Sequence, residues 1–288
     1  MTERRRSEGF TLVELVLVIA LSAVVGAMIA GALSRPLDNF AGQSRRAELV
    51  DRGAAALSRM QRDIRLAVPN SLRVSGDGQA LELLEIYSAG RYRPNRSDGA
   101  SLAFSASTAD PSCLGGCDSF SVLDPDMKFP AQGWLVVYNV GAESGGAAWP
   151  PGSNLWNYAN PGVVTPRTTF AAASGAGSGE TRIRVGAAFR FAYASPQKRA
   201  YFADHVVGYR CVGGELLRYE YAELPSSLPA SIPAAAVSAV QAGDVAGCTF
   251  AYRRGTGTRA GLATLRLRLS VDGESVELIQ QVHVDNAP

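Results

Sequence analysis

Lysine and histidine are almost missing from this chain: Lys128, Lys198, His205 and His283 are the only ones among 288 residues. The basic side chains are therefore nearly all arginine, and a histidine-rich metal centre has little to be built from. Motifs of nucleotide and hydrolytic chemistry are lacking as well. There is no Walker sequence, no His-Glu-x-x-His and no nucleophile elbow, and Asp204-His205 stands as an isolated pair in a segment that reads as a strand. No enzymatic activity and no cofactor are expected. The formal net charge is only +2, with a net +3 carried by residues 35–68, so the remainder lacks the clustered charge that a nucleic-acid-binding face needs. A second long apolar run is lacking too, and the first is followed by no small-residue cleavage box, which argues against an ordinary secretory signal.

That single run extends from Phe10 to Ser34, 25 residues. At about 1.5 Å of helical rise per residue it crosses a hydrocarbon core of about 30 Å. The leader before it carries Arg4, Arg5 and Arg6, which hold the N-terminus on the cytoplasmic side and send the rest of the chain outward. One carboxylate, Glu14, lies inside the run. A charge in hydrocarbon costs several kcal/mol and calls for a partner or a way back to the headgroups.

The stretch Gly9-Phe10-Thr11-Leu12-Val13-Glu14, with its basic leader and long apolar helix, resembles the class III signal of type IV prepilins. The resemblance implies that a prepilin peptidase cuts between Gly9 and Phe10, that the new terminal Phe10 is N-methylated, and that the apolar helix is kept as a filament core. It also implies that Glu14 pairs with the Phe10 α-amino group of a neighbouring subunit and so sets register.

Beyond Arg35-Pro36, where a kink or a bilayer exit is expected, helical spacing resumes. Leu37, Phe40, Ser44, Ala47, Val50, Ala54, Leu57, Met60 and Ile64 step by threes and fours and predict a stripe whose C-terminal half faces the following domain and whose first half is free to face other subunits, closed by Val68-Pro69-Asn70-Ser71. The period then changes to two. Strands are expected over 81–87, 101–107, 119–123, 134–140, 181–185, 205–210, 216–221 and 249–253, and a hairpin over 263–271 and 275–284 around Asp272-Gly273. Gly213-Gly214 reads as another tight turn, Ala172 to Gly179 as a hairpin tip, and the alanine-rich 231–241 as holding a short helix after Pro233. The expected fold is α+β: leader 1–9, transmembrane helix 10–34, amphipathic extension 35–68 and a mainly antiparallel β-rich globular domain 69–288. The proline- and glycine-rich loop 141–165 carries Trp149, Trp156 and Tyr158, which form a candidate contact surface or pin the loop to its own sheet.

Four cysteines on the exported side of a membrane read as two disulfides. Three pairings exist for four thiols, and Cys113–Cys117 with Cys211–Cys248 is the simplest. The spacings do not form zinc knuckles, and Asp110, Asp118, Asp124 and Asp126 lack the regular spacing of a calcium loop, so no metal is assigned. The second half also carries Ser195-Pro196-Gln197-x-Arg199, Leu216-Leu217-Arg218-Tyr219, Cys248-x-Phe250-x-Tyr252, Gly261-Leu262 and the ending Gln281-Val282-His283-Val284-Asp285-Asn286-Ala287-Pro288. These resemble the minor pilins of mannose-sensitive haemagglutinin (MSHA) pilus biogenesis, the MshO-like family, and more distantly the minor pseudopilins of type II secretion. The resemblance implies a single-pass inner-membrane protein with a periplasmic domain. Its implied role is priming or capping a pilus, and its implied partners are prepilin peptidase, other major and minor pilins and the inner-membrane assembly platform. A minor pseudopilin of a type II secretion system and a membrane-tethered adhesive or binding module are the alternatives.

Overall fold

The computed structural model describes residues 9–94, 101–104, 117–141, 152–255 and 259–284, with the side chains of 33–41 and 117 left out. One helix, α1, runs from Leu12 to Arg65, 54 residues and about 80 Å of rise. It continues through Pro36 without a break, where the sequence pointed to a kink or an exit. Thr11 caps its start, and Arg62 and Arg65 lie in the last turn, where cations favour the negative end of the helix dipole.

The chain then enters β1 (Arg73–Val74) and β2 (Ala80–Leu84). It leaves them to form β3 (Ser88–Arg91), β4 (Ala103–Phe104), β5 (Cys117–Val122), β6 (Gln132–Val136), β7 (Thr168–Ala172), β8 (Thr181–Phe191) and β9 (Arg199–Ala203). It returns as β10 (Val206–Val212), β11 (Glu215–Tyr221) and β12 (Val237–Ala242), and ends in β13 (Val245–Arg253), β14 (Gly261–Val271) and β15 (Glu274–Val284). Strands β1-β2-β10-β11-β12 form a five-stranded sheet, β13-β14-β15 a three-stranded one, and β3-β9-β6-β7-β8-β4 with β5 on β8 a seven-stranded one. Apart from the short parallel pair β4 and β8, the paired strands are antiparallel. Because β2 and β10 are hydrogen-bonded neighbours, the whole seven-stranded sheet is an insertion between two adjacent strands of the five-stranded one.

Packing follows the same division. Leu49, Leu57, Met60 and Ile64 of α1 share a core with Leu83, Tyr209, Leu265, Leu267 and Leu269 of the five- and three-stranded sheets. The insertion has its own core of Phe120, Phe170, Ile183, Phe191 and Phe202. A third cluster, including Val68, Trp134, Trp156 and Tyr219, joins the two. Against β14 and β15 the helix comes so near that a Cβ on Gly53 would overlap the side chains of Leu278 and Leu269. The expected stripe is right at Leu57, Met60 and Ile64 but off by one further up. Val50 and Ala54 are exposed, and Leu49, Gly53 and Ala56 face the sheet instead, because small residues at 53 and 56 permit the close approach.

Local signals worked where turn chemistry was explicit. Asp272 and Gly273, at φ 48° and 83°, close the β14–β15 hairpin, and Gly213 and Gly214, at 62° and 80°, close β10–β11. Residues 173–180 form the expected tip of the β7–β8 hairpin. The short helix expected in 231–241 is not formed. After a turn from Pro233 to Ala236 the chain becomes β12, since the open edge of β11 offers a ladder that a three-alanine run cannot match as an isolated helix. Strands β7 and β9 were missed for lack of polar alternation; in β9, Ala200 to Ala203 are all buried.

Cys211 of β10 and Cys248 of β13 are joined in a disulfide that ties the five-stranded sheet to the three-stranded one. It spans 37 positions, and by loop-closure entropy its loss lowers stability by about 3–4 kcal/mol. Replacing both cysteines by serine is expected to lower the unfolding free energy from chemical denaturation by that amount, with the midpoint moving down in proportion. An unchanged midpoint would contradict it.

Candidate functional site

The helix–sheet body leaves the first half of α1 uncovered. Leu12–Ala32 has a mean hydropathy of 2.7 and no part of its most apolar window is buried within the chain. An isolated helix that is apolar all round is stable only in lipid or among other helices. It is compatible with single-pass membrane anchoring by length and composition. At its head Gly9, Phe10 and Thr11 lie outside the helix, Phe10 is 80% exposed, and Glu14 sits in the first turn. The Glu14 backbone N–H donates to Thr11 Oγ1 at 3.2 Å, and the Leu15 N–H donates to the Thr11 carbonyl at 3.1 Å. The junction between Gly9 and Phe10 is thus non-helical, and Glu14 stands one turn inside the helix.

Residues 4–30 match the family model described as the prokaryotic N-terminal methylation motif. The chain is type IV pilin-like at its N-terminus. The match implies processing by prepilin peptidase and assembly with other pilins. No curated protein and no solved structure matches the chain.

Behind this prepilin-type N-terminus, the other sequence-selected residues are dispersed. Cys113, Trp149 and Asp110 lie outside the described residues, as does the side chain of Cys117, so the pairing proposed between Cys113 and Cys117 falls there too. Trp156 does not belong to an open contact surface. It is buried, donates its indole N–H to the Ser71 carbonyl at 2.9 Å, and carries the Arg73 guanidinium over its ring at 3.6 Å. It pins the loop, as do Leu155, whose N–H donates to Asn139 Oδ1, and the buried Val163 and Val164. Tyr158 is 54% exposed, with its ring near Phe189, and remains open to a partner. Asp124 is used locally, its Oδ1 accepting the Asp126 N–H. Among the described residues no group of three or more His, Cys, Asp or Glu is arranged to hold a metal.

Two buried charge networks escaped the sequence reading because their partners lie far apart in the chain. Asp63 on the inner face of α1 accepts hydrogen bonds from Arg218 Nε at 2.6 Å and Tyr209 Oη at 2.7 Å, with Arg59 Nε at 3.3 Å. Burial and the Asp63 carboxylate push the Tyr209 phenol far above its ordinary range. Glu82, fully buried in β2, accepts from Arg73 Nη2 at 2.6 Å and Tyr219 Oη at 2.8 Å. Single-residue patterns carry no signal for such pairs beyond a charge standing among apolar neighbours.

Asp204-His205 is not isolated in the structure. The imidazole lies between Glu85 Oε2, 2.9 Å from Nε2, and Asp204 Oδ1, 2.6 Å from Nδ1. Glu85 follows β2 where the chain departs for the insertion, and Asp204-His205 precedes β10 where it returns, so the three side chains clasp the insertion's neck. The ring nitrogens face opposite carboxylates, which suits an imidazolium donating twice and leaves no shared position for a metal. The bond to Glu85 raises the His205 pKa to about 9, with burial opposing and Asp204 assisting. Because the folded value lies above the unfolded 6.5, this contribution to stability is full below about pH 6.5 and is lost as pH rises through 9. Chemical denaturation at pH 6, 8 and 10 is expected to show a decline that His205→Gln abolishes. An equal decline in both proteins would contradict the assignment.

Proposed function

We propose that this chain is a minor pilin-like structural subunit that inserts with its N-terminus in the cytoplasm and its globular domain in the periplasm. Prepilin peptidase removes residues 1–9, Phe10 is methylated, and the subunit takes part in priming or capping an MSHA-type pilus from the inner-membrane assembly platform. In this reading 10–34 spans the membrane, 35–68 extends the helix and 69–288 forms the globular domain. The observation that carries it is the uncovered apolar helix whose lone carboxylate, Glu14, stands four positions after the Gly9–Phe10 junction. Type IV pilin-like proteins are structural subunits, which agrees with the absence of a catalytic motif in the sequence. The C-terminal sequence pattern favours a pilus over a secretion pseudopilus.

Cleavage turns Phe10 into an ammonium about one helical turn before Glu14 of its own chain. Two opposite charges from neighbouring subunits offset each other's desolvation, and they do so in only one axial register. Glu14→Ala makes the span more apolar and leaves the remote sheets untouched. Export, cleavage and folding are expected to persist, while surface pili and co-purification with other pilins are lost in a complemented deletion strain. Normal piliation and normal subunit contacts would remove the register mechanism.

Processing has its own test. Intact-mass measurement in a host with active prepilin peptidase is expected to give a chain starting at methylated Phe10, and Gly9→Val is expected to retain the leader. An uncut wild-type chain in that host would overturn the processing step.

The inserted seven-stranded sheet favours a second reading, an adhesive module carried by the same anchor. Tyr158, in the segment between β6 and β7, is exposed with its ring near Phe189 of β8. Deleting residues 142–151 would then abolish adhesion while assembly continues, whereas loss of assembly would return that loop to the first reading.

A further inference from the structure

The residue at the head of α1 that neither processing nor register uses is Thr11. Its backbone is extended, at φ −76° and ψ 147°, and its hydroxyl accepts the Glu14 N–H at 3.2 Å. That is the N-cap geometry, and the sequence Thr11-Leu12-Val13-Glu14 has the spacing of a capping box. The cap fixes the helix start at Leu12 and leaves Gly9 and Phe10 outside it. Nothing downstream would otherwise stop the helix there, since the apolar residues that follow are good helix formers in a membrane.

We propose that Thr11 is a positioning residue for leader removal, acting through the backbone of α1 and not by touching the reacting atoms. The inference rests on the processing reading above. Hydrolysis adds water across the Gly9–Phe10 amide, releasing the Gly9 carboxylate and the Phe10 ammonium. A peptide unit inside a helix is coiled and closed by neighbouring turns, so the nucleophile needs this one extended. By ending the helix one residue after Phe10, the Thr11 cap keeps the scissile unit in a form a peptidase cleft can take up. Without the cap, helix and extended forms compete, and the apparent affinity for the peptidase falls by the fraction left extended.

The test uses the purified full-length chain in detergent micelles with prepilin peptidase, measuring initial cleavage rates against substrate concentration. Thr11→Val keeps the side-chain shape and removes the cap; Thr11→Asn changes the shape and restores a strong cap. The expected result is a KM raised by about two- to fivefold in Thr11→Val with kcat unchanged, and near-normal values in Thr11→Asn and Thr11→Ser. In the same micelles, backbone chemical shifts of Gly9 and Phe10 are expected to be non-helical in the wild type and Thr11→Asn and to move toward helical values in Thr11→Val. A wild-type KM in Thr11→Val, or a Thr11→Asn protein cleaved as poorly as Thr11→Val, would overturn the proposal, as would helical shifts at Gly9 and Phe10 in the wild type. A wild-type chain that shows the expected shifts but is never cleaved would instead overturn the processing reading.

Discussion

The contact of α1 with β14 and β15 is the constraint on which the rest of the molecule depends. At Gly53 the helix lies so close to the sheet that a Cβ would overlap the side-chain ends of Leu278 and Leu269, and Leu49, Ala56, Leu57, Met60 and Ile64 extend that contact on both sides. This burial of apolar surface holds the second half of the helix against the body. The first half is left without cover, and its sequence is apolar on every face. One helix therefore has two unlike parts, one packed in a protein core and one apolar, uncovered and compatible with membrane anchoring.

Buried charge makes the contact specific as well as adhesive. Asp63 is held by Arg218 and Tyr209 of the five-stranded sheet, so the helix cannot rotate or slide by a residue without stranding a carboxylate in the core. Glu82 plays the corresponding part between β2, Arg73 and Tyr219, and Trp156 lies on the other side of Arg73. The loop from the insertion is thereby anchored through the same arginine that neutralises the sheet's buried carboxylate. At the insertion's neck, His205 between Glu85 and Asp204 joins the departing and returning strands. Helix, sheet and insertion are coupled by a few ion pairs whose members stand far apart in the sequence.

Much of this arrangement could be read before the structure was seen. The long apolar helix and the methylation-type motif at its head are local features, legible because both are written in contiguous residues. The two hairpin turns were legible for the same reason, since Asp272-Gly273 and Gly213-Gly214 state their backbone requirement in two letters. What failed is non-local. Val50 and Ala54 lost the inner face to Leu49 and Gly53 because helix–sheet distance decided the rotation. Residues 237–242 became a strand because β11 had an open edge. The position of the insertion between β2 and β10, the burial of Trp156 and the partner of His205 all depend on pairings that sequence spacing does not encode.

The central claim is that the uncovered half of α1 is a surface for like subunits. Photo-crosslinking from Val16, an exposed residue of that half, tests it most directly. In piliated cells carrying a photoreactive residue there, the account predicts adducts with other subunits bearing a prepilin-type N-terminus. Adducts with lipid alone, in cells whose pili contain the protein, would contradict it.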